Sequence, residues 1–183
     1  MKIGIDISQI AYEGTGVGNL VKNLVEHLLR ADKENEYILF FSSMRRKNQK
    51  SKIRIGALHE QSDNVKFKIF RLPPTFLDFL WNQLHVFPIE WLIGDVDIFI
   101  SSDWTQPPTL RAKKVTILYD LIVYKYPLET DKKIVDVQKR RLSWVKKECN
   151  VIFCISEATK RDAMEILGIE EKKLKVVHPG RFK

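Results

Sequence analysis

The chain has 183 residues, 44% of them apolar and 30% charged, and a formal net charge of +8. These proportions fit one globular domain with a real core, and the positive balance admits an anionic partner: nucleic acid, lipid head groups or a phosphorylated substrate. No basic-then-apolar leader opens the chain, no stretch approaches the ~20 apolar residues of a membrane span, and Cys149 and Cys154 form no disulfide framework, so a cytoplasmic protein with core thiols is expected.

In chain order, Met1 to Ile7 reads as a strand, and Val17, Leu20, Val21, Leu24, Leu28 and Leu29 recur at helical spacing. Between them Gly14, Gly16 and Gly18 alternate with Thr15 and Val17. A glycine turn opening a helix leaves unpaired N–H groups and the positive end of the helix dipole facing outward, which suits phosphate; it equally serves close packing of strand on helix. The spacing is neither that of dinucleotide binding nor that of the lysine-bearing phosphate loop. Strand two, Tyr37 to Phe41, ends in Ser42 and Ser43 where a dinucleotide site wants an acid.

Ser43 to Arg54 is predicted to be a solvated basic loop, and Val65 to Phe70 a half-exposed strand. Residues 76–93 are unusually aromatic, with Phe76, Phe79, Trp81, Phe87 and Trp91, and Pro88 is expected to split them into two helical pieces. They read as a helix packed on the sheet or as an apolar face for a lipid-like substrate or membrane. His85 reads as structural, since no second histidine stands near it to complete a metal site.

Val96 to Ile100 is strand four and Val115 to Leu118 strand five, ending at Asp103–Trp104 and Tyr119–Asp120 respectively. A helix over Lys132 to Cys149 should bury Ile134, Val137, Leu142, Val145 and Cys149. Strand six (VIFCI) ends at Ser156, a cap for the helix Glu157 to Leu167, and Lys175 to Val177 is a last strand. Strand alternating with helix predicts an α/β, doubly wound, mainly parallel, Rossmann-like sheet. Asp6, the Gly14–Gly18 turn, Asp103, Tyr119, Asp120, Ser156 and Glu157 would then all reach its carboxyl rim, where open α/β sheets bind ligands.

Three stretches, GIDISQIAYEGTGVGNLVKNLVEHLL, VTILYDLIVYKYP and NVIFCISEATKRDAMEILGIEEKKLKVVHPG, make the chain resemble the amino-terminal domain of the family 4 retaining glycosyltransferases of GT-B fold. The resemblance implies an acceptor-side domain over residues 1–178, the start of an interdomain hinge over 179–183, and a nucleotide-sugar-binding domain beyond. It implies that Gly14, Gly16 and Gly18 approach the donor phosphates, that Asp120 and Tyr119 orient the acceptor, that Asp103 and Trp104 shape its pocket, and that Asp6, Ser156 and Glu157 line the cleft. The partners implied are a nucleotide-sugar and a glycan or lipid-linked acceptor, with peripheral contact to an anionic membrane, no nucleic acid, no cofactor and no metal.

Two features depart from the family. Tyr119 stands where histidine often precedes the aspartate, and a phenol donates a hydrogen bond but is a poor base at neutral pH. The sequence stops at Lys183, in the expected hinge, before the domain that carries E-x7-E in the family; Glu157 and Glu165 show that spacing by chance, on a helix of the first domain. The chain is therefore expected to be half of an active site, inactive alone; the alternative is a binding or assembly subunit working with a separate donor-binding partner.

Overall fold

The computed structural model describes residues 1–12, 14–44 and 64–178. The basic run from Arg45 to Arg54 and the hinge over residues 179–183 lie outside them. Seven strands form one sheet: β1 (Lys2–Asp6), β2 (Glu36–Ser42), β3 (Val65–Phe70), β4 (Ile98–Ser101), β5 (Lys113–Leu118), β6 (Val151–Cys154) and β7 (Leu174–Val176). Their spatial order is β3-β2-β1-β4-β5-β6-β7, and every neighbouring pair is parallel.

The near-continuous apolar run of β2 follows from burial on both faces. Tyr37, Leu39 and Phe41 pack with Val21, Val25 and Leu29 of helix α1 (Gly16–Ala31). Ile38 and Phe40, pointing the other way, pack with Trp81, Ile93 and Phe99. Helices thus cover both faces, as a doubly wound sheet requires. Each of those three α1 side chains stabilises by about 1.5–3 kcal/mol through burial alone. At the sheet edge, β3 turns Lys66 and Lys68 outward, as its alternation predicts.

The aromatic segment does break into two pieces. Helix α2 (Pro74–Leu77) continues as a π-helix over Asp78–Gln83, and α3 (Glu90–Ile93) follows Pro88. Between them His85 and Phe87 take positive φ, 54° and 69°, a conformation that side chains other than glycine rarely adopt. His85 is held there by its neighbours, as a structural histidine. Its Nδ1 meets the Trp81 carbonyl at 2.8 Å, its Nε2 meets Glu148 at 2.9 Å, and its ring stacks on Trp144 at 3.6 Å. Glu148 also pairs with Lys114 of β5.

Two expectations need correction. The alternation of strand and helix fails between β4 and β5, which residues 102–112 join without a helix. Pro107 and Pro108 exclude one, and side chains satisfy the buried backbone instead. Asn82 accepts from the Gln106 N–H at 2.9 Å and donates to the Trp104 carbonyl at 3.0 Å. The second correction concerns helix α5 (Lys132–Glu148), in whose first turn Ile134 is 40% exposed. Val135 is buried in its place, with Val137, Gln138, Arg141, Leu142 and Val145. Short α4 (Ile122–Lys125) precedes α5, and α6 (Glu157–Glu165) leads on to β7.

Candidate functional site

The strand order reverses at β1: the chain moves from β1 to β2 and β3, then crosses to β4 on the other side. The loops after β1 and β4 must diverge there, leaving a crevice at the carboxyl rim. A small cleft occupies that place, lined among others by Asp6, Ser8, Tyr12, Ser42, Ser102 and Trp104. Asp6 is 4% exposed at its floor, and its Oδ1 accepts from the Ser8 N–H at 2.9 Å. Burial raises the Asp6 pKa against the hydrogen bonds of Ser8 and Ser102.

Beside the cleft, α5 reaches under the rim. Arg141 is 1% exposed; its Nε donates to the Ser102 carbonyl at 3.1 Å and its Nη2 to Thr116 Oγ1 at 2.8 Å. Its Nη1 stands 3.8 Å from Asp103 Oδ1. One turn earlier on the helix, Gln138 donates to the Asp103 carbonyl at 2.7 Å. Burial pushes the Asp103 carboxyl up to about 6, with the Arg141 guanidinium pulling it down and the Asp120 charge pushing it up. Tyr119, buried at the end of β5, has its phenol raised above the ordinary 10 by burial and by the Asp103 charge, so it remains a donor. Asp120 is exposed, and its Oδ1 accepts from the Ile122 N–H at 3.0 Å.

The glycine turn divides into parts with different work. Gly14 has φ of +77°, a backbone conformation that glycine adopts freely. A Cβ built on Gly16 would meet nothing within 4 Å. Gly18 is buried, and a Cβ there would stand 2.8 Å from the Tyr12 carbonyl oxygen and 2.9 Å from that of Gln9. Its N–H is taken by Thr15, whose Oγ1 caps α1 at 3.1 Å and donates to the Tyr12 carbonyl at 2.8 Å. Among the described residues, nothing accepts from the N–H groups of Gly16 and Val17.

The structure thus brings Asp6 and Trp104 into one cleft, and Gln9 and Tyr12 join that cleft to the glycine turn. Asp103, Tyr119 and Asp120 form a coupled group around Arg141. Ser156 lies one strand further out, where its hydroxyl caps α6 by accepting from the Thr159 N–H at 3.1 Å. Thr159 in turn donates to the Tyr119 carbonyl at 3.0 Å, and Glu157 is exposed on the first turn of that helix. A wider hollow lies at the opposite, amino edge of the sheet and includes Glu34, Asp95 and Arg111, none of which the rim involves. Among the described residues no three His, Cys, Asp or Glu side chains are grouped to hold a metal ion, and no helix is long and apolar enough to cross a membrane.

Comparison with known proteins agrees with this geometry: the family model described as Glycosyltransferase Family 4 matches residues 14–181. The chain belongs to glycosyltransferase family 4. No curated protein matches it. As a family 4 domain it carries a glycosyltransferase-type function, on a parallel Rossmann-like sheet of the kind that forms the amino-terminal half of a GT-B enzyme.

Sequence reasoning missed several rim residues of this family 4 domain: Arg141, Gln138, Ser102 and Tyr12. A signal for the first two existed. Gln138, Leu142, Val145 and Cys149 follow one another at spacings of four, three and four, which places Gln138 and the adjacent Arg141 on the buried face of α5.

Proposed function

We propose that this chain is the acceptor-side wall of a retaining glycosyltransferase that moves a sugar from a nucleotide-sugar to a glycan or lipid-linked acceptor. The reading rests on one observation: the polar cleft at the strand-order reversal adjoins a helix start whose first amides have no acceptor among the described residues. In the transfer, a bond forms between the anomeric carbon and an acceptor oxygen, and the bond from that carbon to the donor phosphate breaks. The acceptor proton leaves with the departing phosphate or to solvent. Developing charge on that phosphate calls for N–H donors, and attack calls for a hydroxyl held close to the carbon.

In this reading the Gly16 and Val17 amides face the donor phosphate, Gly14 gives the turn its bend, and Gly18 seats the helix. Asp120 and Tyr119 orient the acceptor hydroxyl, the phenol as donor and the carboxylate as acceptor. Asp103 and Trp104 shape the pocket; Asp6, Ser156 and Glu157 line the cleft at increasing distance from its floor. The nucleotide would be held by a second domain and the isolated wall would be inactive, with no metal used. Peripheral contact with an anionic membrane belongs to the same reading. Residues 76–91 are apolar on both sides, burying Leu77, Trp81 and Ile89 while exposing Phe76, Phe79, Leu84, Val86 and Trp91.

The test is Gly16→Val in the complete enzyme, assayed with a panel of nucleotide-sugars. A Cβ at Gly16 meets no protein atom within 4 Å and the backbone there is not in the positive-φ region, so the substitution strains nothing at its root while its methyls block the approach of the phosphate. Transfer should fall at least tenfold with an unchanged melting temperature. Normal turnover would remove the glycine turn from the mechanism.

A further inference from the structure

The rim acids do not hold themselves in place. Asp103 sits in the irregular connection between β4 and β5, where no helix or ladder fixes its direction. What fixes it comes from α5. Gln138 holds its carbonyl at 2.7 Å, Arg141 holds the preceding carbonyl of Ser102 at 3.1 Å, and the same guanidinium faces its carboxylate at 3.8 Å. The two helix residues also contact each other, Arg141 Nη1 donating to Gln138 Oε1 at 3.4 Å. Thr116 of β5 anchors the guanidinium from the sheet side at 2.8 Å.

We propose that Arg141 is a positioning residue of the reaction, which with Gln138 fixes the Asp103 carboxylate at the rim and keeps it charged at neutral pH. A guanidinium that is 1% exposed needs a carboxylate partner, since an unpaired buried charge costs several kcal/mol. Asp103 and Asp6 are the two acids coupled to it, and Asp103 is the one in ion-pair range. The charged and titratable groups facing Asp103 are therefore Arg141 from α5, and Tyr119 and Asp120 from the end of β5. Asp6 of β1 acts on the same guanidinium. Burial and the Asp120 charge favour the protonated Asp103 carboxyl, and the arginine opposes them. Its planar fork reaches carbonyl, hydroxyl and carboxylate together, which an ammonium cannot do. The catalytic meaning rests on the reading of Asp103 as an acceptor contact; the positioning itself does not.

The experiment follows the side-chain carboxyl carbon of Asp103 by NMR as a function of pH in the 183-residue chain, the resonance being identified by its loss in Asp103→Asn. The midpoint should lie near 6 in the parent. In Arg141→Met it should rise by at least one pH unit, a tenfold gain in proton affinity, and in Arg141→Lys it should remain closer to the parent value. A midpoint unmoved by Arg141→Met would overturn the proposal. Should Arg141→Met fail to fold, Asp103→Asn is added to it. Removing both charges of a pair restores folding where removing one does not. Restoration by Asp6→Asn but not by Asp103→Asn, or by neither, would also overturn it. No readout involves sugar transfer, so failure here and failure of the glycosyltransferase reading are told apart.

Discussion

Gly18→Ala isolates the structural half of the glycine turn. The new methyl would lie 2.8 Å from the Tyr12 carbonyl oxygen, 2.9 Å from that of Gln9 and 2.9 Å from Thr15 Oγ1. Two of these atoms are backbone, in the 3₁₀ turn Ser8–Ala11 and at the residue following it. They cannot swing aside as a side-chain tip would. Either the turn or the start of α1 must move, and the move disturbs the Thr15 cap that accepts from the Gly18 N–H. Overpacking of this kind costs about 1–3 kcal/mol, and loss of the cap about 1 kcal/mol more. For a domain of this size 1 kcal/mol is about 2–4 °C in melting temperature, so Gly18→Ala should melt several degrees, roughly 4–16 °C, below the parent. Gly16→Ala is the internal control. Its methyl meets nothing within 4 Å and its φ is not positive, so its melting temperature should stay within about 2 °C of the parent. The assay is calorimetric or circular-dichroism melting of the three chains at one pH. Equal melting of Gly18→Ala and the parent, or equal losses at both glycines, would refute the division of labour.

Stability should also depend on pH through Asp103. Its folded pKa of about 6 lies above the ordinary 3.8, so the folded chain binds this proton more tightly than the unfolded one. Its contribution to stability is fully present below pH about 4 and is lost as pH rises through 6. Asp103→Asn should therefore flatten the decline between pH 4 and 6 in urea titrations, by at most about 3 kcal/mol. That is an upper limit because the Asp103 side chain is 27% exposed. An unchanged slope would contradict the burial argument. For the membrane contact, flotation with anionic vesicles at low salt should carry the chain upward. Phe79→Ser with Trp91→Ser should abolish most of that binding, since both side chains are about half exposed or more, at 48% and 64%. Binding unaffected by the pair would place the contact elsewhere.

Much of the fold is legible in the sequence because its causes are local. The run Tyr37 to Phe41 is apolar throughout because β2 is buried on both faces, and the alternation of Lys66 and Lys68 marks β3 as an edge. Pro88 had to interrupt a helix wherever the segment lay. The site was half legible for the same reason: Asp6 ends β1, Asp103 and Asp120 lie within two residues of the ends of β4 and β5, and strand ends define the rim. What could not be read depends on distant partners. Gly16 and Gly18 look alike in sequence and differ only because the Gln9 and Tyr12 carbonyls fold back over one of them. His85 reads correctly as structural, but its partner Glu148 is 63 positions away. Arg141 hides among the basic residues of α5 until Thr116 and Ser102 are placed beside it.

The distribution of charge over the molecule bears on how a donor and an acceptor would divide the rim. The net charge is +8, yet Asp6, Asp103 and Asp120 bring three carboxyls to the cleft and its margin, against one buried guanidinium. Away from the rim, Lys132, Lys133 and Arg140 of α5 flank the π-helical segment, with Arg140 paired there to Asp78. Carboxylates accept hydrogen bonds from sugar hydroxyls and repel phosphate. A diphosphate entering this rim would therefore be turned away from Asp103 and Asp120 and toward the Gly16 and Val17 amides, which have no acceptor among the described residues and stand at the positive end of the α1 dipole. Acceptor and donor would be sorted to opposite sides of the cleft by sign of charge alone, before any side chain recognises either of them.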